Sequence, residues 1–415
     1  MMNPLWTRLL AVILCTLFLS ACGGGSPAQP TWLNDDAGLT SSVTVLDDGT
    51  QLVKDTTEMY LRASTGERIT TVSLPRGAFS VALSKGDHFA LYGITGGDVW
   101  RSTLSASGVV DSDNVIYSGT DLPLSPSLKQ FGSTAILYWR DGDLFTWYSE
   151  NDLSGGQYPQ PVTDLTYTLT PDQHFWYVDP ATTELVETDL NTFTELSRTP
   201  LDPEFQQIGR LYVNDGFAVG TLATDLHSGV DLIMQDRANQ SISYARSFGG
   251  FGTFKLNMLG QDAQGNIYYY YFAAVAHSGF STGMHVRAIS NTNPEAWDYK
   301  IASSEPFTTP IRVHTLDSGL QMTHIGESTS LVSFGFERTS TSYYTHLAAD
   351  KTVVDSFFLQ PHSVLLPPGN ASYPQLQELG YLVDRFATTA SGVVYIYGRT
   401  GYSTTTPTTY FAAQY

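Results

Sequence analysis

The sequence predicts an all-β fold: a β-propeller of eight blades, with seven as the alternative, closed by pairing of its amino- and carboxy-terminal strands. Three observations carry that prediction. Beyond residue 30 there is little helical periodicity, and short β-branched or aromatic runs alternate with clusters of Gly, Asn, Asp, Ser and Thr. Aromatic residues make up 13% of the chain, a load suited to sheets buried on both faces. Finally, a turn followed by an apolar strand recurs. It begins at Asp48 (DGTQLVKDT), Gly86 (GDHFALYGI), Gly132 (GSTAILYWR) and Pro171 (PDQHFWYVD). It continues at Asn214 (NDGFAVGTL), Gln264 (QGNIYYYYF), Ser328 (STSLVSFGF) and Ser391 (SGVVYIYGR). Eight starts over 343 residues give a mean spacing of 49, near the roughly 40–50 of familiar propeller repeats.

Taken in order, residues 1–21 read as a signal peptide. Arg8 is their only charged side chain, and the apolar run Leu9–Leu19 is shorter than the about 20 residues of a membrane-spanning helix. Leu19-Ser20-Ala21-Cys22 follows. This resembles the lipobox of bacterial lipoproteins, an aliphatic residue and two small ones before a thiol. The resemblance implies cleavage before Cys22, a diacylglyceryl thioether on its sulfur, and an acylated new amino terminus. Cysteine suits that role because its thiolate is the most readily alkylated side chain. Residues 22–30, with GGGSPAQP after the cysteine, read as a flexible lipidated tether, and residues 31–415 as the propeller.

Within the propeller, the second unit shows its strands most openly, as FSVALS, HFALYGI, VWRSTLSAS and GVVDSDNVIYS. Asp, Gly and Asn at the reversals supply positive φ and local hydrogen bonds. The last unit, from Tyr381, ends after three strands, so TWLND (Thr31–Asp35) is the expected fourth and closes the ring. After Asn266 the repeat is irregular, and SGLQMTHIG (Ser318–Gly326) competes with the Ser328 start for register. Two stacked β-sandwich domains are the plainer alternative architecture. MYLRASTGERITTVSL (Met59–Leu74) resembles the quinoprotein-type repeat of propeller lipoproteins that include the outer-membrane assembly propeller, with Thr71 at the usual tryptophan position. That resemblance implies architecture and transfers no site.

Charge and cysteine content exclude several classes. Loss of Arg8 leaves 40 acidic residues against 20 basic ones, a net −20, which argues against nucleic acid and against a purely electrostatic seat on anionic lipid. Cys15 leaves with the signal peptide, so the mature chain has no disulfide and relies on its core.

Few residues suggest chemistry. GFSTG (Gly279–Gly283) matches the serine-hydrolase elbow around Ser281, but its flanks read as strands, whereas that elbow leads into a helix. His277 and His285 flank the same loop and read as exposed histidines rather than a zinc pair, which needs further ligands. Asp47-Asp48-Gly49, Asp111-Ser112-Asp113-Asn114 and Asp141-Gly142-Asp143 lack the spacing of calcium loops and read as reverse turns. Tyr268–Tyr271 should alternate between two sheet faces as core, the lesser reading being a ligand surface shared with Trp139 or Trp176. Pro361–Tyr381 is the longest linker; its four prolines exclude a continuous strand, PQLQEL suits a helical turn, and the segment is placed as a lip over one face.

The expectation is therefore a monomeric lipoprotein whose propeller binds a protein or glycan partner in the cell envelope, without cofactor, metal or catalytic residue. A hydrolase or lyase acting on envelope or extracellular polysaccharide is the alternative. Gly23 after the cysteine is not the aspartate of inner-membrane retention, so the lipoprotein resemblance implies the outer membrane, facing the periplasm or the outside.

Overall fold

The computed structural model describes residues 27–415 except 37, 164, 224–229, 246–254, 274–282, 301–309, 333–334, 360–361, 366–375, 380 and 401–408. It is an eight-bladed β-propeller. Blades 1 to 6 span residues 42–71, 81–118, 127–161, 166–200, 208–245 and 255–300, each a four-stranded antiparallel meander. Blade 7 spans 310–359, and blade 8 combines residues 381–414 with Trp32–Asp36. A short 3-10 turn at Pro203–Gln207 joins blades 4 and 5, with the Asp202 side chain accepting from Glu204 N.

A ring of this kind must bury both faces of each sheet, and the alternation of side chains does so. Eight clusters of buried apolar residues lie one to each blade interface. Tyr269 and Tyr271 pack toward blade 5 with Phe217 and Leu232, whereas Tyr268 and Tyr270 pack toward blade 7 with Leu320 and Met322. The tyrosine run is core on both faces, as its period of two requires.

Closure follows the sequence expectation closely. Trp32–Asp36 pairs antiparallel with Thr409–Gln414, from Trp32 opposite Gln414 to Asp36 opposite Tyr410. This strand also grips blade 1. Trp32 Nε1 donates to Ser64 O at 2.8 Å, and Asn34 Nδ2 donates to Gly66 O at 2.8 Å. Asp36 forms an ion pair with Arg62 at 3.2 Å, both side chains buried, and accepts a hydrogen bond from Tyr60 at 2.7 Å.

Each repeat start marks the turn into a second strand, with one exception. In blade 7 the second strand is Leu320–Val332, so SGLQMTHIG holds the register and the Ser328 start falls inside the strand. The reason is length. Both middle strands of blade 7 have 13 residues, against four to eight in the other blades, so one strand contains two strand-like segments. The long linker differs as well. His362–Leu365 and Leu376–Leu379 pair antiparallel, and the latter adds in parallel to Gly335–Leu347, so PQLQEL contributes a strand rather than a helical turn. Pro27–Ala28 pairs in parallel with Phe358 and Leu359, which brings the amino-terminal segment to the outer edge of blade 7.

Blades 3 and 7, opposite in the ring, touch through their first turns. Ser133 N donates to Asp317 Oδ1 at 3.0 Å, and Thr315 Oγ1 donates to Gln130 O at 3.4 Å. Gly132 between them has φ +56°, and a Cβ there would stand 1.7 Å from the Asp317 carboxylate, so only glycine permits this approach. The contact bridges one mouth of the ring.

Candidate functional site

Beside that bridge lies a cleft of about 540 Å3, built from the first turns of blades 3 to 6 and the last turns of blades 5 and 6. Its floor is rigid because side-chain amides tie the turns of different blades together. Asn214 Nδ2 donates to Gly265 O at 3.1 Å, while its Oδ1 accepts from Phe217 N at 2.8 Å. Gln261 Nε2 donates to Val213 O at 2.8 Å, and Asn291 Nδ2 donates to Asp215 Oδ2 at 3.1 Å. Gly216 lets the turns close up, since a Cβ there would come within 1.9 Å of Asn291 O.

The walls are polar and mostly acidic. Asp172, Glu187 and Asp215 supply carboxylates, and Arg237 is the cation among the lining residues. His174 Nδ1 sits 2.8 Å from Glu187 Oε1 and 3.1 Å from Asp172 Oδ2, a position that orients both carboxylates. The Arg237 guanidinium lies 4.4 Å over the Trp176 ring, and its terminal nitrogen donates to Asn214 O at 2.9 Å. Its Nε is buried without a hydrogen-bond partner. Trp176 itself is 3% exposed, so its covered ring is no open stacking platform for a sugar. Chemically, this arrangement suits recognition of hydrogen-bond donors and cations. Sequence reasoning missed the cleft because its residues are scattered over six turns of four blades, and no local motif connects them.

Apart from Trp176, which lines the cleft, the residues singled out from sequence fall elsewhere. Cys22, His277 and Ser281 lie outside the described residues. The strands flanking GFSTG are Ile267–Ala273 and Gly283–Ile289, consecutive and antiparallel, so no helix follows the serine. His285 is not the exposed loop histidine expected. It lies on a strand, 4% exposed, with its ring stacked 4.9 Å from Tyr271 and Nδ1 3.1 Å from Asp298. Burial opposes ionisation of Asp298, but the hydrogen bond and charge of His285, with Arg287 and Tyr271, hold its carboxyl below the usual carboxylate range.

Asp47-Asp48-Gly49 and Asp141-Gly142-Asp143 are turns, with Asp48 Oδ1 accepting from Thr50 N at 2.8 Å. Asp111-Ser112-Asp113-Asn114 is a correction: it lies on the outer strand of blade 2, where Asp113 accepts from Arg76 Nε at 2.9 Å and Ser102 Oγ at 2.7 Å. Trp139, like Trp176, is buried, at 4% exposure, and belongs to the interface of blades 2 and 3. Among the described residues no group of three His, Cys, Asp or Glu side chains is arranged to hold a metal ion, and no helix is long and apolar enough to cross a membrane.

No protein-family model matches the chain, and no curated protein matches it significantly. Solved structures align with it at low identity. BamB from Moraxella catarrhalis aligns over 81% of this chain and 91% of its own, with 12% identity and a TM-score of 0.35. Hsv2 from Kluyveromyces lactis aligns over 73% of this chain and 98% of its own, with 9% identity and a TM-score of 0.35. The WD40 domain of Neurospora crassa Pan2 aligns over 72% and 94%, with 12% identity and a TM-score of 0.35.

Proposed function

We propose that this chain is an outer-membrane-anchored lipoprotein whose propeller acts as a binding scaffold for a protein partner in the cell envelope. One observation carries the binding half of the reading: the cleft is a preformed, cross-braced recess whose walls hold three carboxylates and one arginine. Preorganisation lowers the entropy cost of association, and fixed carboxylates select basic groups. With Trp176 covered, a loop bearing lysine or arginine suits the recess better than a glycan. Charge reversal by Asp172→Lys with Asp215→Lys should abolish co-isolation of the partner while leaving the thermal midpoint within a few degrees.

The anchoring half rests on Leu19-Ser20-Ala21-Cys22. Two or more acyl chains on Cys22 give stable attachment, each buried methylene contributing about 0.8 kcal/mol. Four residues separate Cys22 from Pro27, so the five steps between them span at most about 18 Å. The lipid therefore leaves the ring near the outer edge of blade 7. A Cys22→Ala variant is expected to lose fatty-acid labelling and to leave the membrane fraction; retention of label would remove the lipoprotein assignment.

A further inference from the structure

Further along the inner strands from the cleft is a second cavity of about 470 Å3, between blades 3, 4 and 5. Its lining includes Lys129 from blade 3, Arg210 from blade 5, and Tyr138, Tyr167 and Tyr212. Among the described residues no carboxylate lines it. Lys129 Nζ lies 3.4 Å from Thr168 Oγ1, and 5.1 and 5.6 Å from the centroids of the Tyr212 and Phe131 rings. The charge that acts on it is Arg210, a second cation. Burial, reinforced by Arg210, pushes the Lys129 ammonium down to about 8. Lys129 is partly exposed, and that exposure faces the cavity.

Among the described residues no carboxylate shares the cavity wall with these two cations, in a chain of 40 acidic residues. Arg210 is exposed, whereas Lys129 is half-buried, and a desolvated charge is paired, bound to a ligand, or costly. The pattern extends to the sequence of all eight inner strands. They carry Lys129, Arg210, Lys255, Arg312 and Arg385 against one carboxylate, Asp384. The eight outer strands carry three basic residues and seven acidic ones. By sequence, the first strand of each blade is thus richer in basic residues and the outermost strand richer in acidic ones. Burial also raises the phenols of Tyr138 and Tyr212, so both remain neutral hydrogen-bond donors at physiological pH. Repulsion from the acidic exterior is screened beyond about 8 Å at physiological salt, which leaves local cations to set the affinity.

We propose that this cavity binds a small molecule bearing an oxyanion, a phosphomonoester or a carboxylate, with Lys129 and Arg210 holding the anion and the tyrosines packing the remainder. Its volume falls within the range of small-ligand sites, about 300–1,000 Å3. The assignment does not rest on the cleft or its protein partner.

Titration calorimetry of the purified protein with 4-nitrophenyl phosphate, 4-nitrobenzoate and neutral 4-nitrobenzyl alcohol tests it. At least one anion should bind at least tenfold more tightly than the alcohol, and the stronger anion identifies the headgroup. Lys129→Met and Arg210→Gln should each weaken that anion at least tenfold. Lys129→Met should keep or raise the thermal midpoint of the free protein, because removing an unpaired charge from a buried site does not destabilise it. Affinity should fall between pH 7 and 9.5 as Lys129 loses its proton, and Lys129→Arg should bind without that fall. Absence of anion binding at millimolar concentration, or binding indifferent to both Lys129→Met and Arg210→Gln, would overturn the assignment.

Discussion

Replacing Asp262 by alanine is expected to destabilise the folded ring by about 4 kcal/mol, read as a lower urea midpoint at unchanged slope. Asp262 is fully buried at the junction of blades 6 and 7. Its two oxygens accept five hydrogen bonds. Oδ1 takes the backbone amides of Gln264 at 3.0 Å and Asn266 at 2.9 Å. Oδ2 takes Asn266 Nδ2 at 2.9 Å, Tyr268 OH at 2.7 Å and the backbone amide of Gly319 at 2.9 Å. Alanine would leave five donors without that acceptor, each costing about 1–3 kcal/mol when it finds no water. Asp262→Asn keeps one acceptor oxygen and should cost about half as much. A loss below about 1 kcal/mol for alanine would mean that water enters the junction.

The second large effect concerns closure. Asp36→Ala is expected to cost about 3–5 kcal/mol, because it leaves the Arg62 guanidinium buried without its carboxylate. Both side chains are almost inaccessible, at 6% and 5% exposure, so the pair is not screened like a surface bridge. Arg62 NH1 would retain its bond to Gly66 O at 3.0 Å, and NH2 its bond to Tyr60 OH at 3.0 Å, which limits the loss. A paired replacement, Asp36→Leu with Arg62→Met, removes both charges and should return to within about 1 kcal/mol of the parent in chemical denaturation. If the single and double variants were equally unstable, packing of the closing strand rather than the ion pair would hold the ring.

Much of this fold was legible from short-range signals. The eight turn–strand starts work because each blade repeats the same physical demand: a tight reversal, then a strand buried on both faces. Carboxylates make many of those reversals. Asp55, Asp179, Asp189, Asp236 and Asp350 each accept from backbone amides two or three residues ahead. Part of the net −19 charge is therefore structural, and need not be read as a binding surface. Closure by Trp32–Asp36 was legible for a related reason, since a final blade of three strands leaves an unsatisfied sheet edge.

Register failed in blade 7 because its 13-residue strands outlast the local pattern. The acidic cleft and the basic cavity were not legible at all. Each joins side chains more than 70 residues apart, such as Thr134 with Asn291 and Lys129 with Arg210, and only the ring brings them together. His285 escaped for a smaller reason. Its partner Asp298 lies 13 residues away across a third-to-outer strand pairing, a spacing with no motif attached.

The central claim, that a membrane-held ring engages a protein through the cleft of blades 3 to 6, is tested most directly by photo-crosslinking in cells. A photoreactive amino acid at Gln264, exposed on the cleft wall, places the probe without removing a carboxylate. The account predicts one dominant protein adduct in the outer-membrane fraction, absent when Asp172→Lys and Asp215→Lys are introduced together. An adduct unchanged by that charge reversal, or no protein adduct while the ring remains folded at the membrane, would contradict it.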